Sequence, residues 1–154
     1  MHRDETVKVL NDLVQISEDG KQGFAAAAKE ATTPDLKNMF HQRSVDCGTA
    51  VTELQALVVS LGGSPQESGT VAGAIHRGAA KVKATVGDAN IGMLEEVESA
   101  EDKAAAVYAK ALTAKLPQQV RSVVQRQHAG TVRNHELIRE LHDSYKAKKE
   151  AVAN

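Results

Sequence analysis

Arg43, Glu101, Gln127, Thr131 and Asn134 fall on helical stripes otherwise filled by Val, Leu, Ala and other apolar residues. An isolated charge in a core is costly unless it is paired and hydrogen-bonded. These residues therefore predict a polar layer inside an apolar helical core, acting either as a binding site or as a structural clasp. Arg43 stands between Met39 and Cys47 on its stripe, and Glu101 stands between Val97 and Tyr108. If their helices run parallel, both lie roughly three turns from the helix start and can meet. The expected arrangement is a bidentate Arg43–Glu101 pair, supported by the Gln127 amide and the Tyr108 hydroxyl.

Metal chemistry is the competing expectation. Its candidate ligands are Glu98, Glu101, Asp102, His128 and His135, with iron or another divalent ion as the cofactor. His128, His135 and His142 repeat every seven residues. Neighbours in such a series stand about 10 Å apart along a helix, too far to share one ion. The stripe is therefore read as a boundary or the flank of a subunit contact. His41 is expected to face away from the core, His76 falls in a connecting segment and His2 is terminal. Cys47 is alone, which excludes an internal disulfide, and on an apolar stripe a thiol behaves as a small hydrophobe. Neither a phosphate-binding loop nor a nucleophile elbow is present in the sequence.

The elements that must position these residues are helical. Val7, Leu10, Leu13, Val14, Phe24 and Ala27 keep a 3.6-residue rhythm over a first helix from about Asp4 to Lys29. Glu18 and Asp19 point away from that stripe, and Ser17 takes its centre. Thr33-Pro34 is a start signal for a second helix, which Gly62-Gly63 ends through a left-handed cap. Thr70–Val86 reads as a weaker helix interrupted by Gly73 and Gly78, with Asp88 capping the next. A third helix runs from about Ala89 to Lys115, and Leu116-Pro117 joins it tightly to a fourth. The Lys- and Ala-rich tail beyond Tyr145 is expected to fray. Short, long and short connections predict an all-α, ferritin-like four-helix bundle, with a long, partly helical crossover between helices 2 and 3.

The 154 residues fit a single domain over residues 1–154. With 19 Lys+Arg against 20 Asp+Glu, the net charge of -1 gives no basic footprint for nucleic acid. No apolar run approaches the length of a membrane span, and the N-terminus has no signal core. A cytoplasmic protein without nucleic-acid or membrane partners is the expectation.

Leu10-Asn11-Asp12-Leu13 with Asp19-Gly20, Leu61-Gly62-Gly63, Ala74-Ile75-His76-Arg77-Gly78, Glu98 with Glu101-Asp102 and Tyr108, and Gln127 with Asn134-His135 carry a resemblance. Together they resemble an uncharacterised bacterial family of ferritin-like four-helix-bundle proteins, a domain of unknown function linked to stress responses. The resemblance implies the bundle fold and self-association, most simply as a dimer. The wider superfamily holds two irons with inward carboxylates and Glu-x-x-His pairs. Here Ser17, Cys47, Ala50, Gln127 and Thr131 stand near the positions such ligands would take, and Glu101 alone keeps a carboxylate. The expected function is thus a non-enzymatic, oligomeric bundle in which an Arg–Glu layer replaces the di-iron site, with no cofactor. The alternative is a metal-binding or oxidative-stress protein with a non-standard site.

Overall fold

The computed structural model describes residues 2–69 and 88–153. Among them are four α-helices and no strand: α1 (Arg3–Glu30), α2 (Pro34–Ser60), α3 (Ala89–Ala111) and α4 (Gln118–Ala153). The crossover helix expected over Thr70–Val86, with its glycines and His76, lies outside the described residues. No helix among the described residues is long and apolar enough to cross a membrane.

Local chemistry accounts for the helix ends. Gly62 adopts φ +80°, and the Gly63 N–H donates to the Val58 carbonyl at 3.0 Å. This left-handed termination satisfies carbonyls that α2 would otherwise leave open. Asp88 accepts the Ile91 N–H at 2.9 Å and so caps α3. Thr33 holds the N-cap position of α2, but its hydroxyl makes no cap. It lies instead 3.2 Å from the Tyr145 hydroxyl on α4, a tertiary bond that wins over the local one. α3 stops at Ala111, short of the expected Lys115, because the chain tightens through Thr113 N–H to Lys110 and Ala114 N–H to Ala111. Arg121 then donates to the carbonyls of Leu112 and Ala114 at 3.1 and 2.6 Å, the latter also accepting the Leu116 N–H. At the other extreme, the expected fraying after Tyr145 is not seen and α4 continues to Ala153. Its last turns contain no Gly or Pro and are rich in Ala, Lys and Glu, all strong helix formers.

Specific contacts fix the helix directions. Thr32, just before α2, donates its N–H to Asn90 Oδ1 near the start of α3 at 2.8 Å, and Asn90 returns a 2.9 Å bond to the Thr32 hydroxyl. Further along, Arg43 of α2 reaches Glu101 of α3. These two helices therefore run the same way. α4 runs against α2, since Thr33 meets Tyr145 while Glu53 meets Arg126. α1 packs along both α2 and α3, and α3 packs along α4.

The core divides in two. At one end Leu10, Leu13, Leu54, Val58, Val120 and Val124 pack together; at the other Phe24, Leu36, Phe40, Met93, Leu94 and Ile138 do so. Each fully buried large apolar side chain contributes about 1.5–3 kcal/mol. Beyond α2, Asn11 Oδ1 accepts the Gln66 N–H at 2.9 Å while Asn11 Nδ2 donates to the Ser64 carbonyl at 3.1 Å. Asn11 thereby pins the start of the connecting segment onto α1.

Candidate site at the polar waist

Between the two apolar ends lies a cavity of about 1060 Å³, bordered by all four helices. Ser17, Arg43, Cys47, Glu101, Tyr108, Gln127, Thr131 and Asn134 all line it. It also has small-residue walls, including Ala26, Ala50, Ala100 and Ala104. Small side chains at facing positions leave a gap where Leu or Phe would have closed the bundle.

Arg43 enters this space from α2, its side chain 14% exposed. One terminal nitrogen donates to Glu101 Oε1 at 3.3 Å and the other to Asp46 Oδ2 at 3.0 Å. Its guanidinium carbon also stands 5.4 Å from the centre of the Phe24 ring, within cation–π range. The expected bidentate Arg43–Glu101 geometry is therefore replaced by a fork. One arm holds the buried Glu101, and the other holds the exposed Asp46 one turn further along α2. Asp46 is absent from the expected polar layer, although its i+3 spacing from Arg43 is a signal for such a bond. Burial pushes the Glu101 carboxyl above its ordinary range, and the nearby Arg43 charge only partly opposes this.

A second chain of bonds crosses the waist beside the first. Ser17 Oγ lies 3.0 Å from the Tyr108 hydroxyl, which donates to Gln127 Oε1 at 2.8 Å. The Gln127 amide nitrogen donates in turn to Glu53 Oε1 at 3.1 Å and reaches the Ala50 carbonyl at 3.5 Å. Tyr108 and Gln127 thus do not support the Arg43–Glu101 pair, contrary to expectation. They link α1, α3, α4 and α2 in their own relay. Glu53, which the sequence reading also missed, takes both Arg126 terminal nitrogens, at 3.2 and 2.5 Å. Those bonds hold its carboxyl below the usual range. Burial pushes the Tyr108 phenol up to about 12 and the Cys47 thiol up to about 12. Both groups are held neutral.

The other residues singled out from sequence take quieter places. Thr131 Oγ1 donates to the Gln127 carbonyl at 3.1 Å, and Asn134 Nδ2 to the Gly130 carbonyl at 2.8 Å. Both bonds stay within α4. Glu18 is buried rather than turned away, and accepts from Gln22 at 2.9 Å. Because α1 packs along two helices, its buried face is broader than one stripe.

The histidine stripe lies half-buried along the α3–α4 seam, a boundary position. His128 stands near the Tyr108 ring, with centroids 6.3 Å apart. His135 Nε2 is 3.8 Å from Asp102, and His142 Nδ1 is 2.9 Å from Glu98. His142 Nε2 stands 3.5 Å from Glu95 but makes no hydrogen bond. The alternative metal candidates are thereby distributed among separate partners: Glu101 with Arg43, Asp102 with His135, Glu98 with His142 and His128 with Tyr108. Among the described residues, no three His, Cys, Asp or Glu side chains are grouped so as to hold a metal ion. His41 is exposed, as is His2.

Fold and waist together define, among the described residues, a bundle of four helices with a polar middle. The family described as Domain of unknown function (DUF2383) matches residues 5–114, and the chain belongs to that family. The matched stretch spans α1, α2 and α3, so Ser17, Arg43, Glu53, Glu101 and Tyr108 lie inside it and Gln127 beyond it. No curated protein matches the chain.

Proposed function

We propose that this protein is a non-enzymatic, ferritin-like bundle in which the Arg43–Glu101 pair occupies the place of a di-iron centre. The observation that carries this reading is the Arg43 guanidinium lodged in the waist against Glu101. A fixed positive charge opposes a cation by roughly 4 kcal/mol per unit charge at 4 Å and an effective dielectric of 20. A divalent ion at Glu101 would meet about twice that repulsion and would also lose Glu101's existing partner. The parallel run of α2 and α3 supports the ferritin-like kinship. A cytoplasmic home is part of the same reading, in keeping with the free thiol of Cys47. So is a working homodimer, the commonest closed assembly. The part the bundle plays is structural or binding, in a stress-related setting.

The test is metal content. Protein purified without a His tag, as isolated and after exposure to ferrous iron in air, should carry no stoichiometric iron by elemental analysis. Two tightly held irons per chain, with oxidase activity, would overturn the reading and establish a metal protein of oxidative defence in its place.

A further inference from the structure

We infer that the outward face of α2 is the surface through which two copies of this chain pair, helix against helix. This rests on the homodimer reading above and deepens it by naming the contact.

α2 carries two seams. Its inner stripe, with Val51, Leu54 and Val58, serves the bundle core. On the far side, from Val45 to Val59, the exposed residues are Val45, Asp46, Thr49, Thr52, Ala56 and Val59. Asp46 apart, these follow a 4-3-4-3 spacing, the d-a-d-a-d rhythm of a helix that packs on a second helix. The two valines at its ends are 48% and 61% exposed. α1 is the contrast, since every exposed position from Arg3 to Lys29 carries a charge, as a solvated helix face ordinarily does. Depletion of charge is what marks the centre of an interface.

The threonines are prepared for burial. Thr49 Oγ1 donates to the Val45 carbonyl at 3.2 Å and Thr52 Oγ1 to the Gly48 carbonyl at 3.1 Å. With both hydroxyls bonded back into their own helix, covering them leaves no hydrogen bond unmade. Asp46, the one charge in the set, is turned about 100° from Val45 to the edge of the seam, where Arg43 holds it at 3.0 Å. Glu53 on the same edge is held by Arg126. The pattern points to a second copy because it fits its own reverse. Run antiparallel, the seam sets Val45 over Ala56 of the partner subunit and Thr49 over the partner's Thr52, so large meets small and like meets like. Such self-complementarity is what a two-fold contact requires. The seam rises about 21 Å. A helix pair of that length stays at the low end of specific interfaces, under about 1,200 Å², so the dimer dissociates on dilution.

The test is sedimentation velocity of the full-length protein over a concentration series. Thr52→Leu should tighten the dimer about tenfold, since leucine fills a d position and buries more apolar surface on both copies. Thr52→Glu should weaken it about tenfold or more by setting like charges in the seam. Leucine and glutamate are both good helix formers at an exposed site, and circular dichroism checks that each variant is folded. Leu137→Glu, at an exposed apolar position of α4, should leave the dimer as it is. A dimer that ignores both Thr52 variants, or one that Leu137→Glu dissociates, would overturn the inference and leave the homodimer reading standing. Single chains at every concentration, in the wild type and in Thr52→Leu alike, would overturn both.

Discussion

Arg43 and Glu101 meet at 3.3 Å across the waist, one from α2 and the other from α3. The contact is a polar strut between the two apolar clusters through which these helices also meet. Breaking a buried pair by removing one partner costs about 3–5 kcal/mol, while replacing both partners with apolar groups is often neutral. Arg43 has Asp46 in reserve and Glu101 can take a proton, so the lower end of that range applies. Arg43→Met or Glu101→Leu alone should lower stability by up to about 3 kcal/mol, and the double variant should recover most of it. Chemical denaturation of the four proteins checks this. Two mild effects that simply add would mean that the strut carries no coupling.

Glu101 also sets a pH dependence. Its carboxyl titrates above 4.5 in the folded protein, chiefly because of burial. The unfolded chain therefore loses its proton first as pH rises. The contribution of Glu101 to stability is full below about 4.5 and declines as pH climbs toward the folded value. Glu53, held low by Arg126 and Gln127, works in the opposite sense. Comparison with Glu101→Gln isolates the first effect. The wild type should lose ground against this variant as pH rises from 4.5, and a flat difference would place Glu101 in a solvated setting.

Cys47 should be almost inert in the folded state. Its thiol is pushed up from 9.0 to about 12 by burial, with Glu101 adding to the effect. Because the thiolate is the reactive form, alkylation by iodoacetamide near neutral pH should be on the order of a thousandfold slower than in denatured protein. Fast labelling of the native chain would show that the waist opens readily.

Self-association is expected as well. The outward side of α4 carries Val132 and Leu137, 43% and 54% exposed, which a partner could cover. Light scattering should report a particle of twice 16.4 kDa at micromolar concentration. A single-chain mass over a wide concentration range would rule out the dimer.

Much of the scaffold was legible beforehand, and the reasons are local. The 3.6-residue rhythm marks α1 and α2, Gly62 ends α2, and Asp88 starts α3, each through chemistry confined to a few neighbouring residues. Arg43, Glu101, Ser17, Tyr108 and Gln127 were also identifiable, because a polar side chain on an apolar stripe shows in one helix alone. Their partners were harder to find. Whether Gln127 turns to Arg43 or to Glu53 depends on the height and rotation of α4 against α2, which no single helical wheel contains. The same blindness placed Glu18 outside, when it is buried against Gln22. The Thr33 cap failed for a related reason, since its competitor Tyr145 is 112 positions away.

Leu10, Leu13, Leu54 and Val58 at one end, and Leu36, Phe40, Leu94 and Ile138 at the other, are nearly solvent-free and stand clear of the cavity. The residues that keep the chain folded are therefore largely not the residues that face the hollow. Descent with modification can rewrite the middle of such a molecule while its two ends carry on unchanged. A substitution at the waist should accordingly alter its polar contacts while leaving both apolar clusters in place.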